Sequence, residues 1–352
     1  MESAIEYDNV LKHARTLGYK YSNSYSATGV CTFYIIVPSR LDVNAPDYSY
    51  LPILRKGTIL STNSGTTFTL TEDVDFSDPN NEVVVASVDE DPNSRAPTFF
   101  GVKAFGNVVS GELAQYTQEV SGFQRFLKVN IPGENISEIL SVTDSAGNEY
   151  HQVDHLSQNV IFKSLPNKGA NFDSAASILK AVAVPRRYIV EHLENTTYIQ
   201  FGYGSESEMV STSYSSPSSI IMRVHGKDYV ETPNFDPKNL TSTDKFGIAP
   251  ANTVLKVVYR INNSQNANTA TRAINNVVEP KLFFKNRPTL RDDMVDVVTT
   301  SIQVENEEPI VGDITAPKSD EIRRRAADTF ATQSRAVTLQ DYKSSVYLMP
   351  SN

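Results

Sequence analysis

The chain has 352 residues, of which 39% are hydrophobic, and 32 basic against 41 acidic side chains give a net charge of −9. That balance excludes a protein whose main task is to neutralise phosphates, because such domains present a basic face. The hydrophobic share lies under the roughly 45–50% of average domains, so the length predicts two or three subdomains, thin in core, that complete their burial against neighbours.

Residues 1–20 form the first predicted element. Val10, Leu11, Ala14 and Leu17 recur at helical spacing, and Gly18 is placed to end the helix in a left-handed conformation. These twenty residues lack an apolar signal core, and no stretch reaches the roughly 20 apolar residues of a membrane span, which predicts synthesis and assembly in a cytoplasm. A first β region covers 21–100, where β-branched and aromatic runs broken by Pro38, Pro52, Gly57 and Gly65 read as a meander. Cys31 is the single cysteine and excludes an internal disulfide; Phe33, Ile35 and Val37 beside it predict a strand and a buried thiol. The acidic stretch 73–93 reads as loops around one short strand at Val83, Val84 and Val85.

A second β region is predicted for 101–196, on alternations such as residues 126–131 that mark half-buried antiparallel strands. Within it, Ala176, Ile178, Leu179 and Val182 suggest a short helix or loosely helical crossover near 173–184. A third β region covers 197–304, with strands at 197–201, 219–224 and 254–261 and an exposed polar connection at 262–269; another strand is placed at 187–191, before it. Residues 305–317, polar and acidic with Pro309 and Pro317, read as a linker to a terminal helix pair at 318–352. There Ser319 is placed to cap the first helix, Asp320 and Glu321 face its positive end, and Ile322, Ala326 and Phe330 stand four apart. Thr338 and Asp341 have the spacing at which hydroxyl and carboxylate satisfy each other's backbone donors, so a second helix starts there after a fixed bend. The expected class is α+β, predominantly antiparallel β, with several small β subdomains and helices at both ends.

Residues that carry chemistry are sparse. Of five histidines, only His151 and His155 approach a metal-like spacing, with Glu149 and Asp154 nearby. The surrounding pattern is that of strands, where positions four apart lie too far from each other to share an ion. The acidic string at 89–94 imitates the start of a calcium loop, but Ser94 and Phe100 stand where a glycine and a bidentate Glu belong. Gly202 and Gly204 lack the third glycine of a dinucleotide loop, no phosphate-loop or serine-elbow string exists, and Cys31 has no evident partner. Glu206 and Glu208 have a spacing that could flank a sugar, but carboxylate pairs recur too often among 41 acidic residues to single them out. Arg323, Arg324 and Arg325 form the only dense basic run and point in three directions on a helix, which predicts a solvated or interface face. No catalytic, cofactor-binding or metal-binding residues are therefore expected. Phe201, Gly202 and Gly204 instead read as a buried anchor followed by a tight turn that needs positive φ.

Four strings carry a family likeness. They are Leu54-Arg55-Lys56-Gly57-Thr58, Pro185-Arg186-Arg187-Tyr188-Ile189-Val190, Tyr198-Ile199-Gln200-Phe201-Gly202-Tyr203-Gly204-Ser205 and Ser334-Arg335-Ala336-Val337-Thr338-Leu339-Gln340-Asp341-Tyr342. In this order and separation the chain resembles the baseplate J family of contractile phage tails, and within it the wedge proteins of T4-like phages, from about residue 9 to 347. Tyr203 departs from the Asp or Glu usual between the family's glycines. By the resemblance, the chain corresponds to the middle of a longer protein or to a trimmed gene product.

The resemblance implies a structural, non-enzymatic subunit of the virion's tail baseplate, assembled in the bacterial host cytoplasm. Paired copies in each wedge would join neighbouring wedges into an inner ring around the tail hub and transmit the change that triggers sheath contraction. Implied partners are other copies of itself, other baseplate wedge proteins and tail hub or sheath-initiating proteins, with neither nucleic acid nor membrane. Ile322, Phe330, Arg335, Val337, Thr338, Asp341 and Tyr342 are the expected interface and orientation residues, with Phe201, Gly202 and Gly204 in the structural core. The alternative, favoured by 17 tyrosines and antiparallel sheets, is a tail-associated adhesin or carbohydrate-binding module.

Overall fold

The computed structural model describes residues 4–21, 24–40, 44–89, 96–167, 175, 177–193, 196–206, 246–262, 266–314, 317–333 and 335–348. The strand expected at 219–224, Glu208, most of the acidic string at 89–94 and Ser334 lie outside them. Backbone contacts divide the chain into two compact units: Met1–Ala114 with Asn135–Glu138 and Arg260–Asn352, and Gln115–Glu134 with Ile139–Tyr259.

The chain opens on helix α1 (Tyr7–Thr16), and Gly18 follows it at φ +88°, the left-handed conformation that costs glycine least. Eight strands come next: β1 (Thr28–Arg40), β2 (Ala45–Pro46), β3 (Ile53–Leu54), β4 (Ile59–Thr62), β5 (Thr67–Leu70), β6 (Val74–Asp75), β7 (Glu82–Val88) and β8 (Pro97–Ser110). Of these, β1 and β8 pair antiparallel from Thr28↔Val109 to Pro38↔Phe99 and form the spine of an eight-stranded sheet. Period-two alternation puts Cys31, Phe33, Ile35 and Val37 of β1 on one face, with Phe100, Val102, Ala104 and Val108 of β8 beside them, all buried. Each large side chain so buried stabilises by roughly 1.5–3 kcal/mol. Burial pushes the Cys31 thiol up to about 12, as an inert thiol requires.

The other unit is built mainly from β9 (Glu112–Val120), β10 (Lys128–Ile131), β11 (Ile136–Thr143), β12 (Glu149–Gln152), β13 (Val160–Pro166), β14 (Ser177–Ala183), β15 (Arg187–Leu193), β16 (Thr196–Phe201) and β17 (Thr253–Ile261). Seven of them form a sheet in the order β10-β16-β15-β12-β11-β17-β9, in which β12 and β15 run parallel. β13 and β14 pair only with each other among the described residues, as a separate two-stranded ribbon. The short helix expected near 173–184 is therefore corrected to strand β14. A run of five apolar residues in seven fits either period, and the seven cross-strand pairs with β13 decide it.

The chain then adds β18 (Ile274–Glu279), β19 (Leu282–Phe283), helix α2 (Asp292–Thr300), β20 (Gln303–Glu305) and helices α3 (Ser319–Thr332) and α4 (Leu339–Leu348). α2 falls inside the stretch expected to be all β. Val295 and Val298 lie one turn apart and bury into the β1/β8 core, so packing overrides the strand preference of β-branched residues. Where they are described, the connection expected to be exposed at 262–269 and the linker expected at 305–317 are both anchored in the interior. Asn262, Ala267, Asn306, Ile310 and Asp313 are buried; the Asp313 carboxylate accepts from the Asn262 side chain at 3.0 Å and the Ala267 amide at 2.5 Å. Isolated bridges of Tyr25 to Ile314, Thr28 to Val311 and Thr269 to Ile310 knit the same stretch together. Polar composition marked these segments as loops; inside, the Asp313 carboxylate and the Asn306 amide find backbone and side-chain partners, whereas the Asn262 side-chain carbonyl oxygen has none among the described residues. No helix of the described residues is long and apolar enough to cross a membrane.

Candidate interface on the terminal helices

The two ends of the chain meet in one helical module. Val10, Leu11 and Ala14 of α1 pack with Ile322 and Ala326 of α3, closed by Tyr19 and flanked by Tyr7 and Tyr21. The Tyr7 hydroxyl lies 2.9 Å from that of Tyr21 and 3.2 Å from the Pro317 carbonyl, which ties the entry of α3 to α1. Burial raises the Tyr7, Tyr19 and Tyr21 phenols above their ordinary range, so all three stay neutral, with Tyr7 donating to Tyr21.

α3 starts at Ser319 after Lys318, and neither side chain caps it; the expected Ser319 cap is not made. Its first turn is held instead by acids facing the positive end: Asp320 pairs with Arg323, and Glu321 accepts from Arg325 at 2.5 Å. Of the basic run, only Arg324 is exposed. Arg323 also donates to the Ala4 carbonyl at 2.6 Å, and Arg325 is buried. Gln333, at φ +48°, ends the helix in the left-handed region.

The bend into α4 is fixed by the predicted reciprocal cap. The Asp341 carboxylate accepts from the amides of Thr338 at 2.8 Å and Val337 at 3.1 Å, while the Thr338 hydroxyl accepts from the Asp341 amide at 3.2 Å. Those hydrogen bonds, the Thr338 amide first, hold the Asp341 carboxyl below its usual range. α4 packs against α3 with its small polar side inward: Ser344 is buried, and so is Thr332 of α3.

This leaves the apolar side chains outside. Leu339, Tyr342 and Val346 stand at i, i+3 and i+7, one stripe of a helix, and are 74%, 59% and 61% exposed. Val337 at 74%, Phe330 at 58% and Tyr347 at 62% are exposed as well. A helix that presents polar atoms to its own protein and an apolar stripe to solvent is inverted relative to a surface helix of a self-sufficient fold.

The structure sorts the predicted residues into three groups. Ile322 is a core residue, and Thr338 and Asp341 form the bend; Phe330, Arg335, Val337 and Tyr342 are exposed. Phe330 does not continue the Ile322–Ala326 face, because each four-residue step on a helix of 3.6 residues per turn drifts by about 40°. Leu339, Val346 and Tyr347 were missed, although the i, i+3, i+7 spacing from Leu339 announces a stripe. What spacing could not say is that it faces outward.

Phe201, Gly202 and Gly204 belong to the other unit and to its core. Phe201 is buried, edge-on to Tyr150 at 5.3 Å between ring centres and 6.1 Å from Tyr188. The glycines do not make the expected positive-φ turn. Gly202 is required by close approach, since a Cβ there would strike the carbonyls of Phe246 and Gly247, and Gly204 forms a parallel bridge to Ile248. His151 lies on β12, half-buried, 4.0 Å from Glu149, and His155 lies in the turn beyond. Among the described residues no group of three metal-ligating side chains converges.

No protein-family model matches the chain, and a comparison with curated proteins finds no match either.

Proposed function

We propose that this chain is a structural subunit of the baseplate wedge of a contractile bacteriophage tail, working mechanically and without catalysis. In this reading the β regions are struts, and the terminal helices join copies of the chain, and other wedge proteins, into an inner ring around the tail hub. The change that triggers sheath contraction passes through the same helices, by rigid rotation of subunits about their contacts. The observation that carries the reading is the inverted helix α4: the string that resembles the baseplate J family bears Leu339 and Tyr342, and Val346 continues their uncovered stripe one turn further. An apolar stripe of that kind is an interface waiting for its partner.

Light scattering on a sizing column, for the chain alone and with candidate wedge proteins, tests this. Co-assembly into a complex of defined mass is expected, with Phe330→Ala and Tyr342→Ala weakening it at least tenfold while leaving the fold intact. Failure to co-assemble with any wedge protein, or assembly unaltered by both substitutions, overturns the reading.

A further inference from the structure

We propose that strand β7 and the ribbon β13–β14 are the two halves of a head-to-tail contact between copies of this chain, the ribbon of one copy adding its strands to β7 of the next. The proposal stands on strand chemistry and does not rest on the terminal helices.

β7 is an edge. Among the described residues it pairs with β8 alone, so one row of its backbone donors and acceptors faces outward. Its seven residues are all exposed, including Val83, Val84, Val85 and Val88. Val83 and Val85 stand opposite the buried Val102 and Phe100, so they carry the apolar face of the core past its last covered strand. Self-sufficient proteins blunt such an edge with lysine, proline, a bulge or a very short strand. β7 has neither residue, and its register irregularities against β8 fall after Val85, so Glu82–Val85 run as an unbroken open edge. An open apolar edge of this kind accepts a further strand, which supplies both backbone hydrogen bonds and side-chain burial.

The ribbon has the matching deficit. A two-stranded sheet alone is marginally stable in water, yet among the described residues β13–β14 joins no larger sheet and exposes apolar groups on both faces. Phe162 and Leu179 stand on one face, and the Leu165–Ile178 pair on the other. On the second face Lys163 lies directly opposite Lys180, a like-charge pair that destabilises a ladder. Neither strand contains a carboxylate, and no ion pair relieves either lysine among the described residues. β7 has the opposite character: it contains no cation, begins with Glu82, and is bracketed by Asp78 and Asp89. Its length equals that of each ribbon strand, at seven residues. One chain thus carries both an acidic-flanked open edge and a basic, uncovered ribbon, which makes a second copy the occupant. Two different surfaces meeting in this way form a heterologous contact, the kind that propagates into rings or filaments.

The test uses the full chain, with Val84→Lys on the edge and Leu179→Glu on the ribbon, weighed by light scattering across a concentration series. The parent chain is expected to grow beyond a dimer with concentration, and each variant alone to remain a monomer. An equimolar mixture of the two variants should give a dimer and nothing larger, because one intact edge and one intact ribbon remain. The whole comparison is made in a Val346→Ser background, the parent chain as well as both variants, so that self-association through α4 is weakened and the strand contact is read alone. Thermal melts check that the variants fold, and Leu179→Ser replaces Leu179→Glu if the latter does not. A monomeric parent chain, a mixture that stays monomeric, or loss of association in the edge variant but not the ribbon variant overturns the proposal, the last by indicating symmetric pairing of edges.

Discussion

Strand β1 and helix α4 use their apolar residues in opposite ways. In β1, Cys31, Phe33, Ile35 and Val37 are at most 1% exposed, whereas Leu339, Tyr342 and Val346 of α4 are at least 59% exposed. Both segments have the correct periodicity for their structure, so the difference lies in what covers them. β1 is enclosed by its own chain, with β8 and β20 on its edges and α2 packed against it. α4 packs against α3 and turns the buried Ser344 toward its own chain. A fold that completes one core and leaves another stripe bare has placed its unfinished burial where an assembly can complete it.

The sharpest way to break this comparison is to truncate a residue on each side. Phe33→Ala removes a fully buried ring from the β1/β8 core and should destabilise the isolated chain by about 3–5 kcal/mol, read as a lower urea midpoint. A loss under about 1 kcal/mol would mean that the core collapses around the gap and that β1 is not the rigid element its burial indicates.

A smaller effect separates the bend from the stripe it carries. Thr338→Ala removes one half of the reciprocal cap and should cost about 1 kcal/mol of α4 stability, seen as faster amide exchange in α4 with β1 unaltered. The other half titrates. Because hydrogen bonds from Thr338 and Val337 lower the folded carboxyl of Asp341, its contribution is present above the unfolded carboxylate pKa of about 3.9. It is lost as pH falls through the lower folded value. Exchange at α4 should therefore rise on acidification, and Asp341→Asn should abolish that dependence. Acid-induced loosening that survives Asp341→Asn would place the sensitive group elsewhere.

The cap was legible in the sequence because it is local: Thr338 and Asp341 meet within one turn and need nothing else. The alternation of β1, the helix ended by Gly18 and the antiparallel class were legible for the same reason. Residues 177–183 were not, because a short apolar run takes its state from its partner strand, which lies 11 residues upstream of it. Asn306 and Asp313 were misread as linker because composition reports polarity and not whether polar groups find each other inside. Gly202 was assigned the wrong reason: a close backbone approach and a positive φ leave the same letter. The interface residues were half legible. Spacing identifies a stripe at Leu339, Tyr342 and Val346, but its direction depends on α3 presenting Thr332 to Ser344, a tertiary fact.

The smallest effect on the isolated chain is the most telling about α4. Val346→Ser removes apolar area that solvent already wets, so unfolding of the isolated chain should shift by no more than about 0.5 kcal/mol. The same substitution should weaken co-assembly with a wedge partner at least tenfold, about 1.4 kcal/mol. The ratio of the two effects is the measurement, because a core residue such as Phe33 reverses it. If Val346→Ser lowers stability as a buried valine would, α4 is covered within its own chain in solution, and its stripe belongs with β1 as finished core.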